Sequence, residues 1–176
     1  MAHVHDWALV SAITAPHVLY AAVWLHPTVW RRLFRRRPVT AFQRAAFIGK
    51  VGQATAFIAW FVAQTRLQGT TFSLWRVPPG SWLTFFTLLA AGQALNIGVY
   101  RAIGQDGVYY GTKLGKTVKW CSAFPFSVVP HPQYVGSALT VWGLVALLCG
   151  HTPGIVAVGA LWSALYLMTG LIEEYL

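Results

Sequence analysis

Acidic side chains are nearly absent from this chain of 176 residues. Asp6, Asp106, Glu173 and Glu174 are the only four, against thirteen lysines and arginines, for a net charge of +9. Charged residues of both signs make up 10% of the sequence, where a soluble domain carries about a quarter. An ordinary water-soluble globule is thereby excluded. Cysteine is scarce as well: Cys121 and Cys149 share no metal-like spacing, and the six histidines are scattered without a nearby cysteine or acid, so no metal motif is present. There is no G-x-G-x-x-G behind a strand, no G-x-S-x-G elbow and no internal repeat, which argues against a Rossmann domain, a serine hydrolase and a repeat-built transporter.

What the chain has in abundance is apolar length. Five runs stand out, at residues 7–30, 45–65, 81–100, 134–150 and 154–172. Most approach the ~20 residues that a helix needs to cross the hydrocarbon core of a bilayer. The expected fold is all-α: a single integral membrane helical bundle over residues 1–176, of about five helices, four to five of them spanning. Pro16 and Pro27 leave the first run two options, a kinked span or an interfacial helix. That run is too long, and its N-terminal flank too poor in basic residues, for a cleavable signal.

A basic excess can mark a nucleic-acid partner, but here the basic residues flank apolar runs, as they do in membrane proteins. Five arginines fall between Arg31 and Arg37, and Arg101, Lys113, Lys116 and Lys119 follow the third run, while the loop between the second and third runs has only Arg66 and Arg76. With five crossings the two basic clusters share a side, expected to be cytoplasmic, and Glu173 and Glu174 land there too.

That same side holds the longest polar interruption, residues 104–136. Gly104, Gly107, Gly111 and Gly115 are spaced for small-residue helix packing or for close approach to a ligand, and spacing alone does not choose. Beyond them, Lys119, Trp120, Phe124 and Phe126 suit headgroup depth, and Pro125, Pro130 and Pro132 stop helices. His131 precedes the fourth run and is a candidate proton acceptor, or simply a helix-end residue. Glu173 and Glu174 are either a site or a marker of the water boundary. Gln93, Asn96 and Tyr100 share one helix face, facing a neighbouring helix or a pocket.

Three stretches in this order carry a resemblance: GQALNIGVYRAIGQDGVYYG (92–111), FPFSVVPHPQYVGS (124–137) and the terminal Glu173-Glu174. Together they resemble the phospholipid N-methyltransferase family, its plant-type members above all. The resemblance implies a helical, multi-pass enzyme of the endoplasmic reticulum membrane that uses S-adenosyl-L-methionine. It implies methyl transfer to the amine of phosphatidyl-N-methylethanolamine, and of the dimethyl form, toward phosphatidylcholine. The partners implied are the phospholipid and the membrane, with no nucleic acid and no metal.

The family's donor site maps to the triplet Gly107, Val108 and Tyr109 and to the pair Glu173 and Glu174. Lys113, Lys116 and Lys119 are then candidates for the lipid phosphate and His131 for the base. Two other readings suit the same build. One is another membrane methyltransferase, such as an isoprenylcysteine carboxyl methyltransferase. The other is a membrane scaffold in which glycines pack helices and glutamates mark the boundary.

Overall fold

The structure, a computed structural model, describes residues 4–69 and 71–176. Six α-helices account for most of them: α1 (Val4–Leu25), α2 (Pro27–Leu33), α3 (Pro38–Leu67), α4 (Pro79–Val108), α5 (Pro132–Leu148) and α6 (Ile155–Tyr175). One 3₁₀ turn covers Leu74–Arg76, and no strand occurs among the described residues. Four helices (α1, α3, α4 and α6) are long and apolar enough to cross a membrane. The fifth apolar helix, α5, has 17 residues, about 25 Å of length.

Proline sets several of the boundaries. Pro27, Pro38, Pro79 and Pro132 each open a helix, at the position where the missing N–H costs nothing. The first apolar run accordingly divides at His26, leaving a long α1 and a short α2. Pro16 stays inside α1, where Gly49 of α3 packs on it: a Cβ on Gly49 would lie 3.0 Å from the Pro16 ring. Helices α4 and α5 approach most closely. A Cβ at Gly92 would sit 2.4 Å from the Gly136 carbonyl oxygen, and one at Gly136 would sit 2.6 Å from that of Gly92. Small residues in facing positions are how membrane helices bring their backbones together.

One difference from the expectation matters for the site. The third run was expected to end near residue 100, but α4 continues to Val108, through a break at Gly104 (φ 68°, ψ 176°). Beyond Tyr100 the helix carries Arg101, Gln105 and Asp106, and a helix leaving the bilayer can stay helical with its polar groups in water. Gly107 therefore stands on a helical turn rather than in a loop. The shared face of Gln93, Asn96 and Tyr100 serves helix packing. Gln93 donates to Thr140 Oγ1 at 3.1 Å, Asn96 meets Gly136, and the hydroxyls of Tyr100 and Tyr109 lie 3.2 Å apart.

The core has two parts. One clusters Leu9, Ile13, Trp60, Val141, Val145, Leu148 and Ile155 toward one end of the bundle. The other gathers Tyr20, Val23, Phe42, Val99, Val108, Tyr109 and Tyr110 toward the opposite end. At that second end α1, α4 and α6 finish and α3 and α5 begin, which brings the Arg31–Arg37 segment, residues 109–131 and the C-terminal glutamates together.

Candidate active site

The aromatic end encloses a cavity of about 440 Å³ between α1, α4, α5, α6 and the segment after α4. Its walls include Trp24, Gly107, Val108, Lys113, Tyr134 and Glu173. Glu173 is the one carboxylate among them, on the last turn of α6. Tyr110 and Tyr134 both donate hydrogen bonds to its Oε1, and their hydroxyls lie 3.5 Å apart. A carboxylate drawn partly out of water needs this compensation, because hydrogen bonds to an ionised group offset lost hydration. Burial pushes the Tyr110 phenol well up from its ordinary range, with Tyr134 and Glu173 adding to the effect. Tyr110 thus stays a neutral donor.

The position of Tyr110 is set by backbone geometry. Its φ is +54°, a left-handed conformation that bulky residues seldom adopt. The turn that imposes it is tied by Gly111 N–H donating to Asp106 O at 2.7 Å and Lys116 N–H donating to Gly111 O at 2.7 Å. The consequence is that adjacent tyrosines point to different places. Tyr110 bonds Glu173, whereas Tyr109 is buried against Phe42 (5.9 Å between ring centroids) and does not line the cavity.

The FPF stretch builds the outer wall. Phe124 lies on Gly98 of α4, where a Cβ would come within 2.7 Å of its ring. Pro125 is fully buried, and Phe126 and Trp120 reach the cavity with ring centroids 5.2 Å apart. Gly170 plays the same part for α6: a Cβ there would meet the rings of Tyr134 (3.4 Å) and His131 (3.5 Å).

The residues singled out from the sequence divide accordingly. Gly107, Val108, Lys113, His131 and Glu173 come together around the cavity. Lys113 Nζ lies 3.5 Å above the Trp24 ring and donates to Trp24 O at 3.4 Å. His131 stacks on Tyr134 (5.9 Å) and places Nε2 3.5 Å from Glu174 Oε2. Glu174 itself is half-exposed and outside the cavity wall. Lys116 lies 4.0 Å from Asp106 on the other side of the turn, and Lys119 is exposed and not at the wall.

Sequence reasoning did not place Tyr134 or Trp24 at the site, nor Tyr110 as a donor to a carboxylate. It also missed a smaller polar cavity, about 40 Å³, bordered by His17, Lys50, Gln53 and Tyr134. There His17 Nδ1 meets Thr169 Oγ1 at 3.0 Å. The available signal was the spacing of Tyr134, Tyr166 and Thr169 toward the helix ends that carry Glu173 and His131.

An all-helical bundle with a carboxylate-bearing cavity at the polar end of its spans defines a multi-pass membrane protein with a small-molecule site. Comparison with known proteins gives the family. The phospholipid methyltransferase profile matches residues 82–176, and the chain belongs to that family, whose members are enzymes that methylate phospholipids. It is 33% identical over 134 residues to a phosphatidyl-N-methylethanolamine N-methyltransferase of Arabidopsis thaliana, covering 73% of this chain and 71% of the relative. It is 29% identical over 149 residues to a Neurospora crassa protein of the same name, covering 77% and 68%. No solved structure gives a significant match.

Proposed function

We propose that this chain methylates the amine nitrogen of phosphatidyl-N-methylethanolamine, and of its dimethyl form, toward phosphatidylcholine, with S-adenosyl-L-methionine as donor. The observation that carries the reading is Glu173, held by two tyrosine hydroxyls at the wall of a cavity that also contains Gly107 and Val108. This fits the donor's chemistry. The donor supplies an electrophilic methyl group on a sulfonium, and it carries an ammonium and ribose hydroxyls that a carboxylate can bind. The cavity volume lies within the ~300–1,000 Å³ typical of small-molecule sites. The indole N–H of Trp24 is buried there without a protein partner, leaving a donor for a ligand acceptor.

In this reading Glu173 binds the donor's cationic or hydroxyl groups, Tyr110 and Tyr134 orient that carboxylate, and Gly107–Val108 forms the facing wall. Tyr109 supports the triplet from the core. Lys113 takes the lipid phosphate as a point charge, with Lys116 and Lys119 further from the cavity. Methyl transfer to an amine asks mainly for alignment of the nitrogen lone pair with the methyl–sulfur bond, so positioning supplies much of the rate. The acceptor must be neutral, and His131 takes its proton, with Glu174 3.5 Å from Nε2 to stabilise the charged imidazole. The aromatic outer wall keeps water from the methyl group. The protein sits in the endoplasmic reticulum membrane, with the cavity and Glu173 on the cytoplasmic side, as the positive-inside rule indicates for both basic clusters.

The test is methyl-labelled donor supplied to the purified chain with phosphatidylethanolamine, its monomethyl form and its dimethyl form in separate vesicles. Label is expected in the monomethyl and dimethyl lipids. Folded protein that labels none of the three would sink the proposal, and label on a prenylcysteine instead would transfer it to the other methyltransferase class.

A further inference from the structure

Beside the cavity, across the turn that carries Lys113, lies a second concavity of about 610 Å³ that the methylation chemistry does not use. Arg31, Arg32, Arg35 and Arg36 line it from one side, and Gly115 and Lys116 from the other. These cations come from segments about eighty residues apart in sequence and are not a single run of charge spread over a surface. Lys116 has Asp106 at 4.0 Å, but no carboxylate pairs with the four arginines among the described residues. Gly115, at φ +91°, carries its backbone against the Arg31 guanidinium, where a Cβ would lie 3.6 Å from Cζ. The turn and the arginines therefore form one surface.

Helix α2 fixes the depth of that surface through three faces. Trp30 turns inward: it packs on Phe42 at 6.0 Å, its Nε1 donates to Pro38 O at 2.9 Å, and the ring of Phe34, the residue that caps the helix, lies 4.4 Å from it. Val29 and Leu33, one turn apart, are 61% and 70% exposed, an apolar pair that suits acyl chains rather than water. Thr28, Arg31 and Arg32 form the third face and line the groove, and Arg35 and Arg36 of the turn after the helix line it too. A short helix with one apolar and one arginine-rich face suits the membrane boundary, where the groove would open at headgroup level beside hydrocarbon.

We propose that this groove binds the headgroup of an acidic phospholipid of the same leaflet, as a site separate from the one that holds the substrate amine. Arginine suits the ligand, because its planar fork bonds phosphate and carboxylate oxygens two at a time. The unpaired cations supply the complementary charge, and Val29 and Leu33 supply contact for the chains. A free anion would satisfy the arginines but leave that apolar pair unused.

The full chain in detergent, titrated with phosphatidylserine or with phosphatidylcholine and read by native mass spectrometry, tests this directly. The first phosphatidylserine is expected to bind at least about 25-fold more tightly than phosphatidylcholine. In Arg35→Gln/Arg36→Gln that preference should fall by about fivefold per arginine removed, from about 1 kcal/mol for each basic residue near an anionic headgroup. Arg31→Gln/Arg32→Gln should behave alike and serves as the second variant if the first does not fold. Equal affinity for the two lipids, or an undiminished preference in the folded variants, overturns the proposal. Displacement of the lipid by an equal concentration of glycerophosphoserine would do so too, since it would make the occupant a soluble anion.

Discussion

The two ends of the bundle solve the same packing problem with different side chains. Away from the cavity the fully buried side chains are aliphatic apart from Trp60, with Leu9, Ile13, Val145, Leu148 and Ile155 buried together and rings such as Phe57, Phe61 and Trp162 packed around them. The polar groups there are tied to one another: Asp6 accepts from Trp60 Nε1 at 2.8 Å and from Gln64 at 3.2 Å. Around the cavity the fully buried set itself includes Tyr20, Phe42, Tyr109 and Tyr110. Phe42, fully buried, meets the rings of Tyr20, Trp30, Tyr109 and Tyr110. Aliphatic residues can only fill space. Tyrosines fill it and also bring hydroxyls to the margin of the packed region, each at the end of a stiff ring with few rotamers. That is how a membrane-embedded end can stay apolar in bulk and still hold a carboxylate.

If the ends divide labour in this way, damage to each should read out in a different assay. The largest effect is expected from Glu173→Gln, which removes the charge that Tyr110 and Tyr134 compensate. Donor or S-adenosylhomocysteine affinity should fall by about a hundredfold or more, the cost of truncating one partner of a buried charged pair, with little change in thermal unfolding. Unchanged affinity would remove Glu173 from the site. Ile155→Ala strikes the opposite end, where the side chain is 2% exposed. It should cost about 3 kcal/mol of stability, as buried Ile→Ala changes do, and leave the affinity of the folded fraction alone. A loss of affinity equal to that of Glu173→Gln would break the comparison.

The bundle itself was legible because a bilayer tolerates little else: each span must be a long apolar helix, so composition and run length locate it. The helix ends were less so. Nothing in hydropathy reports that α4 runs on to Val108, since a helix in water and a loop in water are equally polar. The site was legible as a region. Basic clusters, the glycine-punctuated segment and the acid pair all fell on one side of the membrane by counting crossings. The choice between neighbours was hidden. Tyr109 and Tyr110 are chemically identical, and only the left-handed turn at Tyr110 decides which one reaches Glu173. Glu173 and Glu174 differ by one residue, about 100° around the helix, and the rotation of α6 against α5 is fixed by the close fit of Gly170 to Tyr134 and His131, which no local pattern announces.

The tyrosine pair offers a smaller perturbation of the same end. Tyr110→Phe keeps the ring against Phe42 and removes one donor from Glu173. Since a hydrogen bond to a charged group contributes about 1.5–3 kcal/mol, donor affinity should weaken by at least tenfold while the fold is retained. Tyr134→Phe should act alike, and the double variant should approach Glu173→Gln without exceeding it, because both hydroxyls act through one oxygen. Additive losses that pass the Glu173→Gln value would show that the hydroxyls also touch ligand directly.

Glu174→Gln is the finest test, and it separates the two glutamates that sequence alone treats as a pair. The Glu174 carboxylate is half-exposed, and its contact with His131 Nε2 is 3.5 Å long. Exposed ion pairs are screened by water and contribute at most about 1 kcal/mol, so donor affinity should change by less than about fivefold. If His131 accepts the amine proton, the variant should instead lower kcat, because the imidazolium formed during turnover loses its neighbour. A donor affinity that drops as far as in Glu173→Gln would place both glutamates on the donor. An unchanged kcat would leave Glu174 as a residue of the boundary and take the proton from His131.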